Sequence, residues 1–471
     1  MKTVSVTLNL MFTNRFEICA QNNKTRDGAI AKSLRILILA SVLICLLCST
    51  RLVTAQEVEQ SPRQVIGLVD LMDRIGPIDT PTGVGVLTSH IEGGKTNEYM
   101  PNIRDERFAG VNFMLRSGVT KVGGHAHATA KVLYGSRGLA PGITKVNCYH
   151  AANWLKEGCL LAGTNKPPKF DGSDLMNHSW IAGQANAFTN SALRRLDYLI
   201  DTYDCIAVVG VNNGSKTSIP PMLASSYNGI AVGRENGQSS GGRTAVDGKG
   251  RGKPDLVAPG GLTSFCTPVV SASAARMIQV AKSHPFAQEA RKAQVIKAVL
   301  LAGAVKPPHW RHSPQHPLDR HLGAGVVNVN HSYDILKRDP SKPGMIDQPT
   351  GWSFFELSTR DMPSWYWDVP KDLENVTVTL VWHRRIDGRQ LTDRLTRKTV
   401  WLETPRMADL DIKFISLQEG QIAVSKSNVD NVELIYVSKL KAGQYEIQLG
   451  RKDQLTENWT AALAWWSESA K

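Results

Sequence analysis

The chain is short of the features that would mark it as anything but a folded globular protein. No low-complexity tract runs through its 471 residues, and 42% hydrophobic against 21% charged residues is the balance of a chain that can bury a core. No Cys-x-x-Cys pair and no Cys/His spacing of ligand type occurs, so a structural zinc site is not expected. No basic stripe with interleaved aromatics occurs either, so nucleic acid is not an expected partner. The apolar run Ile36 to Cys48 is too short for a comfortable membrane span.

That run has the flanks of a targeting segment. Lys32 and Arg35 precede it, and Val53-Thr54-Ala55 offers a small-residue cleavage site before Gln56. Residues 1–55 read as a secretory signal peptide, with an N-terminal anchor as the alternative. The expectation is a secreted or periplasmic protein with no stable membrane span after cleavage. Cys19, Cys45 and Cys48 fall in the targeting segment. Cys148, Cys159, Cys205 and Cys266 remain, an even number that permits disulfides in an exported chain. Buried free thiols are the simpler reading of Cys205 and Cys266.

The net charge is +13; residues 1–55 carry seven Lys/Arg and two Asp/Glu, which leaves +8 for the rest. Residues 341–471 hold 17 Lys/Arg and 18 Asp/Glu, so the positive balance lies in the segment before them.

After a leader without strong periodicity (56–80), the chain alternates strands and helices. Strand-like runs end at Ile91-Glu92, at Tyr149, near Asn177-His178 and at Val209, with short strands at Gly229–Val232 and Leu256–Ala258. Apolar residues at Phe188, Ala192, Leu196, Leu199 and Ile200 give Ala187 to Tyr203 a helical period. Helices are also expected entering from Gly123-Gly124-His125, from Pro268 to Lys282, and from Gln288 to Ala302. This pattern predicts an α/β domain over 81–338, a mostly parallel sheet flanked by helices. Asp339-Pro340-Ser341-Lys342-Pro343-Gly344 reads as a linker. Beyond it alternating runs such as Val376, Val378, Leu380 and Trp382 predict a smaller all-β sandwich over 345–471.

In such α/β sheets chemistry collects beyond the carboxyl ends of the strands. Glu92, Asn212 and the turn bearing Ser264 all follow strands. Ser264 sits where a Pro/Gly turn enters a helix, a place where outward backbone N–H groups favour an anion. An acid, an imidazole and a hydroxyl in the order Glu92, His127, Ser264 are the groups acyl transfer needs. Asn212 adds a neutral donor for an oxyanion. His125 is a second candidate for the base. The plain alternative for Ser264 is a helix cap, and for Glu92 a solvated strand end.

The same stretches resemble the subtilisin-like serine peptidases over about residues 80–336. Thr263-Ser264-Phe265-Cys266-Thr267-Pro268 is similar to the family's nucleophile motif. His127-Ala128-Thr129, with Gly138-Leu139-Ala140-Pro141-Gly142 behind it, resembles the block carrying the catalytic histidine. Val211-Asn212-Asn213-Gly214 resembles the oxyanion-hole turn, and Asn177-His178-Ser179-Trp180 the strand that binds substrate backbone. Ile230-Ala231-Val232-Gly233, Asp255-Leu256-Val257-Ala258-Pro259-Gly260 and Gly323-Ala324-Gly325-Val326-Val327-Asn328 match further blocks in the same order.

The resemblance implies an exported serine endopeptidase acting on protein or peptide substrates. Its catalytic residues would be Glu92, His127 and Ser264, its oxyanion donor Asn212, and its substrate-binding residues Asn177, Ser179 and Trp180. The alternative is a subtilase fold that binds peptides or partners without cleaving them. Glu92 stands where the family has Asp, and Leu262 where it has Gly. The terminal segment resembles the β-sandwich appended to some bacterial subtilases. No cofactor is required; the Asp/Asn loops of the sandwich are of a type that admits calcium, or are simple turn chemistry.

Overall fold

The computed structural model describes residues 60–470 apart from positions 96, 360, 361, 393, 395 and 396. The targeting segment 1–55, with Cys19, Cys45 and Cys48, lies outside the described residues.

The central sheet is made of β1 (Leu87–Glu92), β2 (Asn112–Leu115), β3 (Lys145–His150), β4 (Leu175–His178), β5 (Ile206–Gly210), β6 (Ile230–Arg234) and β9 (Leu256–Ala258); a small hairpin, β7 (Gly242–Thr244) and β8 (Arg251–Lys253), stands between the last two. All seven sheet strands pair in parallel, in the order β2-β3-β1-β4-β5-β6-β9. The chain winds to one side of β1 and then reverses to the other. β1 is therefore the switch point, where an α/β sheet opens a crevice beyond its carboxyl edge, and Glu92 is its last residue.

Six helices matter to the site and its support: α1 (Leu68–Ile75), α2 (Gly124–Leu133), α3 (Ala187–Tyr203), α4 (Thr263–Ser283), α5 (Ala293–Ala302) and α6 (Val329–Leu336). α4 packs across β4, β5, β6 and β9, and its run of small residues, Ser271 to Ala275, lets it lie buried against them. It starts at Thr263, five residues ahead of the expected Pro268. Pro268 is thus inside the helix, where it has no N–H to give the carbonyl of Ser264. The expected leader also holds a helix. Leu68, Leu71, Met72 and Ile75 of α1 follow the 3.6 period over only two turns, and Val329 donates to the Ile66 carbonyl at 2.7 Å.

The all-β part holds two sheets, β10 (Gly344–Ile346), β12 (Ser364–Val369), β19 (Gly443–Arg451), β16 (Leu410–Ser416) and β17 (Gly420–Ser425) in one, β11 (Gly351–Leu357), β20 (Trp459–Ser469), β13 (Leu373–Trp382) and β18 (Val432–Leu440) in the other. Between them lie the fully buried Trp365, Trp382, Trp459 and Trp465. Three of these indoles find a carbonyl, as buried N–H groups must: Trp382 on Ala408, Trp459 on His383 and Trp465 on Gln348.

The α/β and sandwich segments share one apolar core. Trp352, Val381, Val432, Leu434, Ala462 and Ala464 of the sandwich belong to the same buried cluster as the central sheet, and every residue of α5 is buried. The hairpin β14 (Arg385–Thr392) and β15 (Thr399–Arg406) reaches back over α3, where Trp401 meets the Tyr198 ring edge-on at 5.7 Å and Glu403 pairs with the buried Arg195. Arg384 completes the junction. Its guanidinium is buried between Asp197 and Asp247, donating to each at 2.8 Å. Among the described residues the four cysteines, Cys148, Cys159, Cys205 and Cys266, are buried and free, and burial pushes the Cys148, Cys159 and Cys266 thiols up to about 12.

Removing one partner from a buried ionic cluster strands the others. Arg384→Ala is therefore expected to lower the unfolding free energy by about 3–5 kcal/mol, read from urea denaturation. A loss under about 1 kcal/mol would show that the junction is held by its apolar core alone.

Candidate active site

Glu92 is buried at the carboxyl end of β1 with 1% of its side chain exposed. A carboxylate placed there must be hydrogen-bonded or it will take up a proton. Three groups meet this need. His125 Nδ1 donates to Oε2 at 2.6 Å; His90 Nε2 and Thr129 Oγ1 donate to Oε1 at 2.8 and 2.7 Å. An ionised carboxylate only accepts, so His90 must present N–H at Nε2, which leaves its Nδ1 to accept from the Tyr134 hydroxyl at 2.6 Å. Burial alone would raise the Glu92 pKa. The hydrogen bonds from His125 and His90 outweigh it and hold the group at about 2.

The histidine facing Glu92 is thus His125, and the expectation that His127 would stand there is corrected. The reason is helix phase. α2 starts at Gly124, so His125 and His127 lie about 200° apart around its axis, while Thr129 is one turn on from His125 and shares its face. His127 points the other way. Its Nε2 is 3.3 Å from Asp105 Oδ2, its ring packs on Phe108 at 5.6 Å, and its Nδ1 is buried with no hydrogen-bond partner among the described residues. Burial and then Lys131 push its pKa down. His125 moves the other way: its hydrogen bond to Glu92 raises its pKa, against a smaller opposing effect of burial. With Nδ1 donating to Glu92, its Nε2 is the nitrogen left for proton transfer. Roughly half of the ring remains exposed.

Ser264 lies in the first turn of α4, next to Phe265, whose ring is 6.4 Å from that of His125. It does not cap the helix. The residue before the helix is Leu262, in extended backbone (φ −136°, ψ 153°), which Leu adopts without strain. Since Leu262 has no polar side chain, the cap comes from elsewhere in the chain: Asn213 Oδ1 accepts from the Thr263 N–H at 2.8 Å and from its hydroxyl at 3.0 Å. Thr263 Oγ1 also donates to the Val211 carbonyl at 2.7 Å. These bonds dock the 211–213 turn, which carries Asn212, against the start of α4. The backbone of Asn212 is fixed through Ser240, which bonds both its N–H and its carbonyl. The Ser264 hydroxyl itself donates to the Ser179 carbonyl at 3.2 Å.

The expected substrate-binding strand divides into two kinds of residue. Asn177 is fully buried; it donates to Ser179 Oγ at 3.0 Å and accepts from Ser271 Oγ at 2.8 Å, so it ties β4 to α4 and has no surface for a ligand. Ser179 is also buried, its hydroxyl taken up by Asn177 and its carbonyl accepting from Ser264. Trp180 is half-buried beside Gly93, with Ile181 exposed after it. Behind Trp180 stands His178, wholly buried, its ring against Trp154 at 4.7 Å and Trp180 at 5.8 Å; burial drives its pKa down to about 3.

His90, Thr129, Tyr134 and Asn213 are the residues that motif reading passed over. One signal was available. His90 and Glu92 are two apart in one strand, so they share a face. Among the described residues no group of three or more His, Cys, Asp or Glu is arranged to hold a metal ion.

No family model and no curated protein matches the chain. Among solved structures, it is similar to proteases from Pseudoalteromonas arctica (14% identity over 55% of this chain and 91% of that one, TM-score 0.37). It is also similar to the serine protease of Aeromonas sobria (12%, 82% and 89%, 0.36) and to the prenylagaramide maturation protease (16%, 57% and 97%, 0.36).

The Glu92 carboxylate, at about 2 against an ordinary 4.5, stabilises the fold fully above pH 4.5 and loses that effect as pH falls towards 2. The gap in unfolding free energy between the native chain and Glu92→Gln should therefore narrow by up to about 3 kcal/mol across this window. A gap that stays constant would show that Glu92 is not held ionised by its histidines.

Proposed function

We propose that the chain is a serine endopeptidase, exported and acting on protein or peptide substrates, with Ser264 as nucleophile, His125 as general base and acid, Glu92 as orienting acid and Asn212 as oxyanion donor. The observation that carries this reading is the 2.6 Å bond from Glu92 to His125 at the sheet's switch point, with the Ser264 turn alongside. Ser264 Oγ turns from the Ser179 carbonyl towards His125 by rotation about its Cα–Cβ bond. It then attacks the scissile carbonyl carbon while its proton passes to His125 Nε2. Glu92, already ionised and dry, stabilises the imidazolium that forms. The carbonyl oxygen, now an anion, lies against the Asn212 amide and the N–H groups of the first turn of α4. Collapse breaks the C–N bond, and His125 returns the proton to the leaving amine. Water then repeats the sequence on the acyl-enzyme.

One observation favours the second reading, a module that binds peptides without cleaving them: Ser264 Oγ bonds a backbone carbonyl rather than His125. A fluorophosphonate separates the two, because it reacts only with an activated serine. The native chain should label and Ser264→Ala should not; an unlabelled native chain leaves the binding module standing. His127→Ala should still label, whereas His125→Ala should not.

The base must be unprotonated to act. Since Glu92 raises the His125 pKa above 6.5, kcat/KM should climb with pH through a midpoint above 6.5, and Glu92→Gln should shift that midpoint down. Glu92→Asp draws the carboxylate back by about 1.5 Å and should cut kcat/KM about a hundredfold. Full activity in that variant would mean that the longer acid is not needed.

A further inference from the structure

A cavity of about 740 Å³ opens where the 215–219 loop, the 241–243 segment and the 311–320 loop meet. It lies next to the proposed site in the chain: the first loop follows directly on the Asn212-Asn213-Gly214 turn, and the second follows Ser240, which fixes the Asn212 backbone. The second and third segments are in close contact, since any side chain at Gly241 would run into the Arg320 carbonyl.

The lining is strongly cationic. Lys216, Arg243, Arg311 and Arg320 all face it, all are exposed, and none forms an ion pair among the described residues. Against these four stand two carboxylates, and both are held by other donors. Asp319 accepts from the backbone N–H groups of Arg311, His321 and Leu322. Asp430 accepts from the Gly252 N–H and the Ser427 hydroxyl. Arg243 donates to His316 Nδ1 at 2.8 Å and Arg311 to the Trp310 carbonyl at 2.8 Å, neutral partners that leave all four positive charges uncompensated by an ion pair among the described residues, a field that draws and orients anions.

We infer that this cavity is a subsite for an acidic stretch of the polypeptide that occupies the proposed active site. The inference rests on the peptidase reading and adds the substrate class to it. Two features favour a polypeptide over a small anion. The charges come from three separate segments around about 740 Å³ of space, far more than one small anion fills, so they suit several carboxylates spaced along a chain. The cavity's first lining residue, Ser215, is also only three positions along the chain from Asn212, the proposed oxyanion donor.

The test uses the full chain with Ser264→Ala, so that peptides stay intact. Fluorescent peptides carry a common apolar segment with a block of three Glu, three Gln or three Lys at either end, and binding is read by anisotropy. The Glu peptide should bind about tenfold more tightly than the Gln peptide in one of the two placements, and about 0.5 M salt should shrink the difference. Lys216→Glu with Arg320→Glu should abolish it or turn it in favour of the Lys peptide. Both positions are exposed, and a urea melt checks that the double variant is folded. Equal binding of Glu and Gln peptides overturns the inference, as does a preference that survives the double charge reversal. A protein that binds inorganic phosphate but does not distinguish the peptides overturns it in favour of a small-anion site. Failure here is separable from failure of the peptidase reading. Fluorophosphonate labelling without a Glu preference overturns the subsite alone, and a Glu preference without labelling overturns the catalysis alone.

Discussion

A single buried charge organises this site. Glu92 ends β1 at the one position where the sheet changes direction, and it is closed off from water. An unpaired carboxylate there would be protonated, and a protonated one could neither orient an imidazole nor stabilise its cation. Each neighbour answers to that constraint. His90 comes from the same strand, Thr129 and His125 from one face of α2, and Tyr134 from just beyond it. The histidine left half-exposed, His125, is the one whose second nitrogen is free for the proposed proton transfer; the buried one, His90, is clamped between Tyr134 and Glu92.

The fold was largely legible, because its signals are periodic. Buried runs such as Ile206–Gly210 announce a covered parallel sheet, the spacing of Phe188, Ala192, Leu196, Leu199 and Ile200 gives α3 its full extent, and alternation marks β13. What was missed was too short or too distant to leave a period. α1 has two turns. The β14–β15 hairpin has few buried side chains of its own, and its place over α3 is set by Trp401, Glu403 and Arg384 meeting residues some two hundred positions earlier.

The site was legible in its residue types and order but not in its helix phase. Matching a block of letters set His127 beside Thr129, yet a helix puts neighbours on one face at a spacing of four, not two. Knowing that α2 starts at Gly124 makes His125 and Thr129 the pair that meets Glu92. Leu262 shows the converse. Leu stands where the resemblance sets Gly, yet the backbone there is extended and admits any residue, and Asn213 supplies from another loop the cap that Leu262 cannot.

The longer acid follows from the same geometry. A carboxylate that must accept from His90 in its own strand, from Thr129 and from His125 needs both oxygens clear of the strand backbone. Glu reaches that point and leaves Oε1 for the two buried donors and Oε2 for His125 alone. A shorter side chain would bring the carboxylate back towards β1 and could not keep all three partners unless α2 moved with it. α2 is not free to do so: Ala126, Ala130 and Leu133 are buried along it, and Phe108 packs against both His127 and Tyr134. The acid, its second histidine and the position of the helix are therefore one coupled choice.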